Sequence, residues 1–362
     1  MTSFIGVLYL CVKILYALCT WGLGHATRSL PVIRAMIREG HEIGIMSSGR
    51  TLELLKKELG EEVEYHDVPD YPAPYSGSRI GFYLRFGSAL PKILKGIKRE
   101  HEITEKILSK HGYERIVSDN RYGVYSKRVR SYLMTHQLRF IAPRRMKFIE
   151  DMAEKFVMKQ GKGFERYIVP DDEEGTLSGE LSHNLRYISE KKVLYAGPLS
   201  DFERKEISDG IDLLISISGP EPQRSIFERK IMEQMDDLPK NTVITLGKSE
   251  EYREYRKGNA VIYTYLPREK REEVMNRAKI VLSRSGYSTI MDLAILGKKA
   301  IFVPTPAQTE QEYLAEYHME KGNYFSQSQE NLEIGGALRE SRWYKGIKMD
   351  ARSVDRILEE VL

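Results

Sequence analysis

Residues 278–311 read AKIVLSRSGYSTIMDLAILGKKAIFVPTPAQTEQ. The first run is almost unbroken in its apolar character, as expected for a strand buried on both faces of a parallel sheet. SRSG turns the chain, a helical spacing runs to Gly297, and KKAIFVPT repeats the strand before a further helix begins at Gln308 to Gln311. A strand, a helix and a second strand of the same kind form the repeating unit of a doubly wound α/β sheet. The unit extends upstream through DLLISISG, NTVITLG and NAVIYTYL. It occurs independently in the first half, in KILYALC, HEIGIMSS, ERIVSD and SYLMTHQ. The expected fold class is therefore α/β, with two doubly wound parallel-sheet (Rossmann-like) domains facing across a cleft. The expected divisions are 1–198, 199–349 and a C-terminal helix over 350–362.

Composition bounds the rest. Of 362 residues, 41% are hydrophobic and 30% charged, enough apolar material for two cores. A net charge of +4 is too small to argue for nucleic acid, and no nucleic-acid partner is expected. Cys11 and Cys19 lack metal-ligand spacing and read as reduced thiols of a cytoplasmic protein. Residues 4–19 are apolar except for Lys13, too short a run to span a membrane. KILYALCT alone makes a complete first strand, so the natural start is expected at Val12 and residues 1–11 as an extension. PDDEEGTLSGELSHN, residues 170–184, is polar and turn-rich and is expected to be an exposed loop.

In such folds, ligands bind beyond the carboxyl ends of the strands. The loop TWGLGHATRS, residues 20–29, carries Gly22 and Gly24, but Thr27 stands where a dinucleotide fingerprint has its third glycine. With no convincing ribose-binding acid after strand two, a nicotinamide site is disfavoured. His25 stands at the positive end of the following helix as a candidate general base, with Asp119 at the end of ERIVSD as the carboxylate that would orient it. Gly286 and Ser288 open a second helix whose free N–H groups suit a diphosphate. On that helix, Asp292 can accept both hydroxyls of a ribose. Gln308 and Gln311 offer amides suited to sugar hydroxyls.

These residues resemble the donor-binding half of two-domain (GT-B) glycosyltransferases, and most closely glycosyltransferase family 28 of the MurG type. The family pattern R-S-G-x-x-T-x-x-E, then G-x-x-x-x-x-V-P and a glutamine-bearing helix, is matched by Arg284, Ser285, Gly286, Thr289, Gly297, Val303, Pro304 and Gln311. Asp292 replaces the usual glutamate. The resemblance implies that the backbone of Leu266 meets a uracil and that the turn at Gly219 lies near phosphate. It also makes GLGH the family's glycine loop, likens THQ to its H-E-Q-N segment, and returns the C-terminal helix to the first domain. His136 and Gln137, with Arg121 and Tyr122 of SDNRYG, are then candidates for the acceptor side.

The implied activity is inverting, metal-independent transfer of a hexose or N-acetylhexosamine from a UDP-sugar to an acceptor hydroxyl, with no cofactor. No His/Cys cluster or acidic pair has metal-ligand spacing. Residues 120–149 hold no acid, but include Arg121, Lys127, Arg128, Arg130, Arg139, Arg144, Arg145 and Lys147. Phe82, Tyr83, Arg85, Phe86, Lys92, Ile93, Leu94, Lys95, Ile97 and Lys98 mix aromatic, aliphatic and basic side chains. Such surfaces suit a glycan, lipid-linked or other anionic acceptor and peripheral contact with an anionic membrane. The rival readings are a UDP-N-acetylglucosamine 2-epimerase, which needs no acceptor, and a non-catalytic nucleotide-sugar-binding protein.

Overall fold

The structure, a computed structural model, describes residues 11–71, 79–142, 145–208, 210–248, 252–350 and 352–362, with only the backbone for 79–89. The proposed extension therefore lies outside the described residues except for Cys11. The side chains of Phe82, Tyr83, Arg85 and Phe86, and all of Arg144, lie outside them as well.

The first half forms β1 (Lys13–Leu18), α1 (Leu23–Arg38), β2 (Glu42–Ser47), α2 (Gly49–Leu59), β3 (Glu64–Asp67), α3 (Arg79–His111), β4 (Arg115–Asp119), β5 (Arg130–Met134), α4 (Lys147–Gln160), β6 (Arg166–Val169) and β7 (Val193–Tyr195). Among the described residues, their sheet runs β3-β2-β1-β4-β5-β6-β7, and every pairing is parallel. The second half forms β8 (Ile211–Ser216), α5 (Gln223–Met232), β9 (Thr242–Thr245), β10 (Glu254–Lys257), β11 (Ala260–Tyr263), α6 (Arg268–Arg277), β12 (Ala278–Ser283), α7 (Tyr287–Leu296), β13 (Lys299–Phe302), α8 (Thr309–Glu320), β14 (Phe325–Ser326), α9 (Ile334–Glu340) and α10 (Ser353–Val361). Its sheet runs β10-β11-β9-β8-β12-β13-β14, and β10, which the sequence reading did not assign, pairs antiparallel with β11 at the edge.

In both sheets the strand order reverses beside the first strand, at β1/β4 and at β8/β12, which opens a crevice at the carboxyl ends. β1 is central and Ile14 to Leu18 are fully buried, which explains its unbroken apolar run. On α1, Ala26, Leu30 and Ile33 recur at helical spacing and face the core. α7 stops at Gly297, whose left-handed φ of 65° lets its N–H reach back to Ala294 O, a conformation a glycine adopts without a Cβ clash.

One apolar cluster joins the halves. Leu199 and Phe202 of the connecting segment, Ile357, Leu358 and Val361 of α10, and Tyr287 and Met291 of α7 belong to the same cluster as Ile14 and Leu30. α10 returns to the first sheet, as the family resemblance implies. Tyr132 Oη of β5 donates to Glu360 O at 3.0 Å, and Ser353 Oγ donates to Pro198 O at 2.5 Å.

Residues 170–184 correct the sequence reading. Asp171, Leu177, Ser178, Leu181 and Ser182 are buried. The Asp171 carboxylate accepts from the amides of Leu177 (3.0 Å) and Ser178 (2.7 Å) and from Ser178 Oγ (2.6 Å). The segment docks on α8, where Tyr317 Oη donates to Gly175 O at 2.9 Å and the Glu180 amide donates to Tyr313 Oη at 2.8 Å. Asp171, Ser178 and Ser182 turn inward, and Asp171 satisfies the segment's own backbone, while Glu173, Glu174 and Asn184 stay exposed, so a polar composition here does not mean exposure throughout.

Candidate functional site

α1 begins at Leu23, earlier than its apolar spacing suggests, with Gly22 in an extended conformation at its N-cap. His25 therefore sits within the first helical turn. Asp119 ends β4, opposite Leu18 of β1. His25 Nδ1 lies 2.9 Å from Asp119 Oδ1, so the two residues proposed as base and orienter are in contact.

Arg28 went unnoticed in the sequence, although it lies one turn beyond His25 on the same helix. Its guanidinium is buried and grips Asp119 with both arms, Nε at 2.9 Å from Oδ2 and Nη2 on Oδ1. Ser29 Oγ adds a third donor at 3.0 Å. Burial alone would raise the Asp119 carboxyl, but the charge of Arg28, and then His25, outweighs it and holds the group well below the usual carboxylate range. The remaining Arg28 arm, Nη1, lies 3.0 Å from His136 Nδ1, and His136 Nε2 lies 3.1 Å from Glu310 Oε1 of α8. The His136 ring stacks on Tyr287 with centroids 4.2 Å apart and planes 8° apart. His136 thus stands between the two domains.

On the opposite wall, α7 points its N-terminus at this cluster. Gly286 is the extended N-cap, which leaves the first-turn amides of Tyr287, Ser288 and Thr289 without intrahelical partners. Gly24 packs directly against Ser288, since a Cβ on Gly24 would lie 2.9 Å from Ser288 Oγ. The N-termini of α1 and α7 therefore meet. Ser285 Oγ donates to Gln311 O at 2.7 Å, and Gln311 Oε1 accepts the Thr305 amide at 2.8 Å. Both side chains are buried and hold the turn beneath the helix start. Gln308 is the N-cap of α8. Leu266, past the end of β11, has a buried side chain, while Gly219 is exposed at φ 117° in the turn after β8. Asp292 accepts from Ser200 Oγ at 2.6 Å, so its carboxylate faces the connecting segment. Burial pushes its pKa up to about 6, against the opposing pull of the Ser200 bond.

Arg284 and Arg121 take structural places as well. Arg284 is buried and donates to the carbonyls of Ser218, Gln223, Val303 and Pro304 and to Gln329 Oε1, with its guanidinium 4.2 Å from the centre of the Phe227 ring. It ties together the turns after β8, β12 and β13. Arg284→Lys is expected to lower the thermal unfolding midpoint while leaving UDP affinity within a fewfold, because an ammonium cannot span that spread of carbonyls. Paired melting and binding curves check this. Arg121 is fully buried, with Nε 2.7 Å from Glu100 Oε1 and Nη2 donating to Val68 O at 3.0 Å, so it is no acceptor ligand.

Tyr122 packs with Tyr71, whose ring meets Trp21 edge-on at 5.6 Å and whose hydroxyl accepts the Tyr122 amide at 3.4 Å. The Gln137 amide donates to Thr135 Oγ1 at 3.2 Å. The basic stretch is less free than its lack of acids implies. Arg139 lies among Glu150, Glu154 and Glu180, Arg128 pairs with Glu105 and Arg130 with Glu165. Lys127 and Lys147 are exposed.

A cluster without a sequence signature forms at the β3 edge. Glu64, His66 and His111 bring ligand-type atoms within 4.8 Å of one another. Tyr113 Oη lies 2.9 Å from Glu64 and 2.7 Å from His66, and His111 Nδ1 lies 2.6 Å from Glu64, so these groups satisfy one another by hydrogen bonds.

Residues 227–337 match the glycosyltransferase family 28 C-terminal domain, and residues 12–69 match a model of glycosyl transferase family 1. No curated protein matches the chain in sequence. Solved structures similar to it include the glycotransferase of kitacinnamycin, 14% identical over 96% of this chain and 93% of that one, with a TM-score of 0.62. MurG of Acinetobacter baumannii is 11% identical over 97% and 99%, with a TM-score of 0.57. UGT89C1 of Arabidopsis thaliana, complexed with UDP, is 10% identical over 97% and 94%, with a TM-score of 0.62. The chain is a glycosyltransferase of the GT-B type. Within that class its second domain matches family 28, and the two-domain Rossmann-like fold expected from the sequence is present.

Proposed function

We propose that the protein transfers a hexose or N-acetylhexosamine from a UDP-sugar with inversion and without a metal. The observation that carries this reading is the meeting of two helix N-termini at Gly24 and Ser288, beside the His25–Asp119 pair. Unpartnered amides and the positive ends of two helices favour a diphosphate there, and they would stabilise its charge as it departs. With Asp119 accepting from Nδ1–H, His25 Nε2 is left to take the acceptor hydroxyl proton. The acceptor oxygen then forms its bond to the anomeric carbon as the bond to the diphosphate oxygen breaks, and UDP leaves with that electron pair. The UDP in the Arabidopsis structure supports the choice of nucleotide. Arg284, Ser285 and Gln311 shape the turn, and the amides from Tyr287 to Thr289 face the diphosphate.

Asp292 is assigned to the ribose. A diol would replace the Ser200 bond with two charge-assisted ones, each worth about 1.5–3 kcal/mol. Asp292→Ala should therefore raise the UDP dissociation constant roughly ten- to a hundredfold by titration calorimetry. Because the folded group titrates near 6, wild-type affinity should fall as pH drops through that value, and the fall should vanish in the Ala variant. Unchanged UDP affinity in Asp292→Ala would remove this assignment.

For the acceptor we propose a glycan, lipid-linked or other anionic molecule, bound near Trp21, Tyr71 and Tyr122. Leu94, Met146, Phe148 and Met152 are exposed near Lys92, Lys95 and Lys147, a combination suited to peripheral contact with an anionic membrane. Among the described residues, no helix is long and apolar enough to cross one. Incubation with UDP-sugar separates transfer from epimerisation, since an epimerase would exchange the proton at the sugar's second carbon with no acceptor present.

A further inference from the structure

His25 Nδ1 has two neighbours of opposite demand. Asp119 Oδ1, at 2.9 Å, can only accept, and Arg28 Nη2, at 3.0 Å, can only donate. One ring nitrogen cannot satisfy both. If Nδ1 carries the proton and donates to Asp119, Nε2 is free as a base. If Nδ1 accepts from Arg28, the proton moves to Nε2 and the base is lost. The position of the Arg28 fork therefore selects the tautomer.

What holds the third arm of the fork is His136 of the first domain, which is in turn held by Glu310 of the second. Nη1 donates to His136 Nδ1 at 3.0 Å, which requires that nitrogen to be bare. The ring proton is then on Nε2, which donates to Glu310 Oε1 at 3.1 Å. Burial holds the His136 pKa below the ordinary value against the pull of Glu310, in keeping with a neutral ring. With Nη1 drawn to His136, Nε and Nη2 lie along the Asp119 carboxylate. Tyr287, the other polar neighbour on the second domain, does not compete, because its hydroxyl donates to Pro170 O at 2.7 Å and its ring only stacks on His136.

We infer that Glu310, acting through His136 and Arg28, selects the Nδ1–H tautomer of His25, so that the base is ready only while α8 lies against the first domain. Arg28, His136 and Glu310 are positioning residues. This device keeps an activated base from meeting water before the donor-binding domain has closed over it. The inference rests on the reading of His25 as the base, and its test is read separately from that reading.

The ring nitrogens of His25 are observed by NMR in protein labelled with 15N-histidine and assigned by difference from His25→Gln. The wild type should show Nδ1 protonated. Glu310→Ala, and His136→Phe, which keeps the stack on Tyr287 but cannot accept from Arg28, should move most of the population to Nε2–H. In the same variants, UDP release from UDP-glucose, UDP-galactose or UDP-N-acetylglucosamine should fall at least tenfold in kcat, with UDP affinity within about twofold. If His136→Phe does not fold, Glu310→Leu, which fills similar space but cannot accept from His136 Nε2, takes its place. An unchanged His25 tautomer in folded variants overturns the relay. A wild type inactive on every donor overturns the transfer reading and leaves the tautomer measurement to decide the relay alone.

Discussion

His25→Ala should abolish sugar transfer while leaving UDP affinity close to wild type. A positioned general base contributes roughly a hundred- to ten-thousandfold to rate, and neither Asp119 nor His136 can replace Nε2. Asp119 is held fully buried between Arg28 and Ser29, and the ring of His136 is turned toward Arg28 and Glu310. The loss should therefore appear in kcat, and calorimetry with UDP should give a dissociation constant within a fewfold of wild type. Full turnover in the Ala variant would remove His25 from the chemistry.

Asp119→Asn should strongly destabilise the fold. It leaves the buried Arg28 guanidinium facing a neutral amide, and breaking a buried ion pair from one side costs about 3–5 kcal/mol. It also removes the carboxylate that keeps the proton on His25 Nδ1, so transfer should fail in whatever fraction remains folded. The folded pKa of Asp119 is depressed, so its contribution is fully present above the unfolded value of about 3.9 and is lost as pH falls toward the folded one. Urea unfolding at pH 7 should show the full gap between wild type and variant, and the gap should shrink below about pH 4. An equal gap at both would assign the loss to packing.

The parts of the fold that were legible in the sequence are those set by local pattern. β1, β8 and β12 are largely buried and announce themselves by apolar runs. β10, with four exposed residues at a sheet edge, carries no such pattern, and β6 is short and opens on Arg166. The buried segment 170–184 misleads for a different reason: its composition is polar, but the Asp171 carboxylate serves its own backbone, which only a folded loop displays. The candidate site divides in the same way. The places of His25 and of the helix start at Gly286 were legible because each follows a strand, and that of Asp292 because it lies on the helix so begun. Arg28, Glu310 and the fate of Arg121 and Arg284 were not, because their partners lie far away in the chain. Arg121 meets Glu100 on α3, and Arg284 meets carbonyls from several separate turns. A lone arginine in a loop reads the same whether it grips a substrate or a carbonyl.

The chain passes between the lobes twice, once through residues 196–208 and once on its way to α10. The two passages meet where Ser353 donates to Pro198 O, and Asp201 on the first is pinned by Arg34 from one lobe and Arg268 from the other. A single tether would let the lobes swivel about its axis. A doubled one would resist torsion and leave bending as the softer direction, which would keep the walls carrying His25 and Ser288 in one register were the lobes to part.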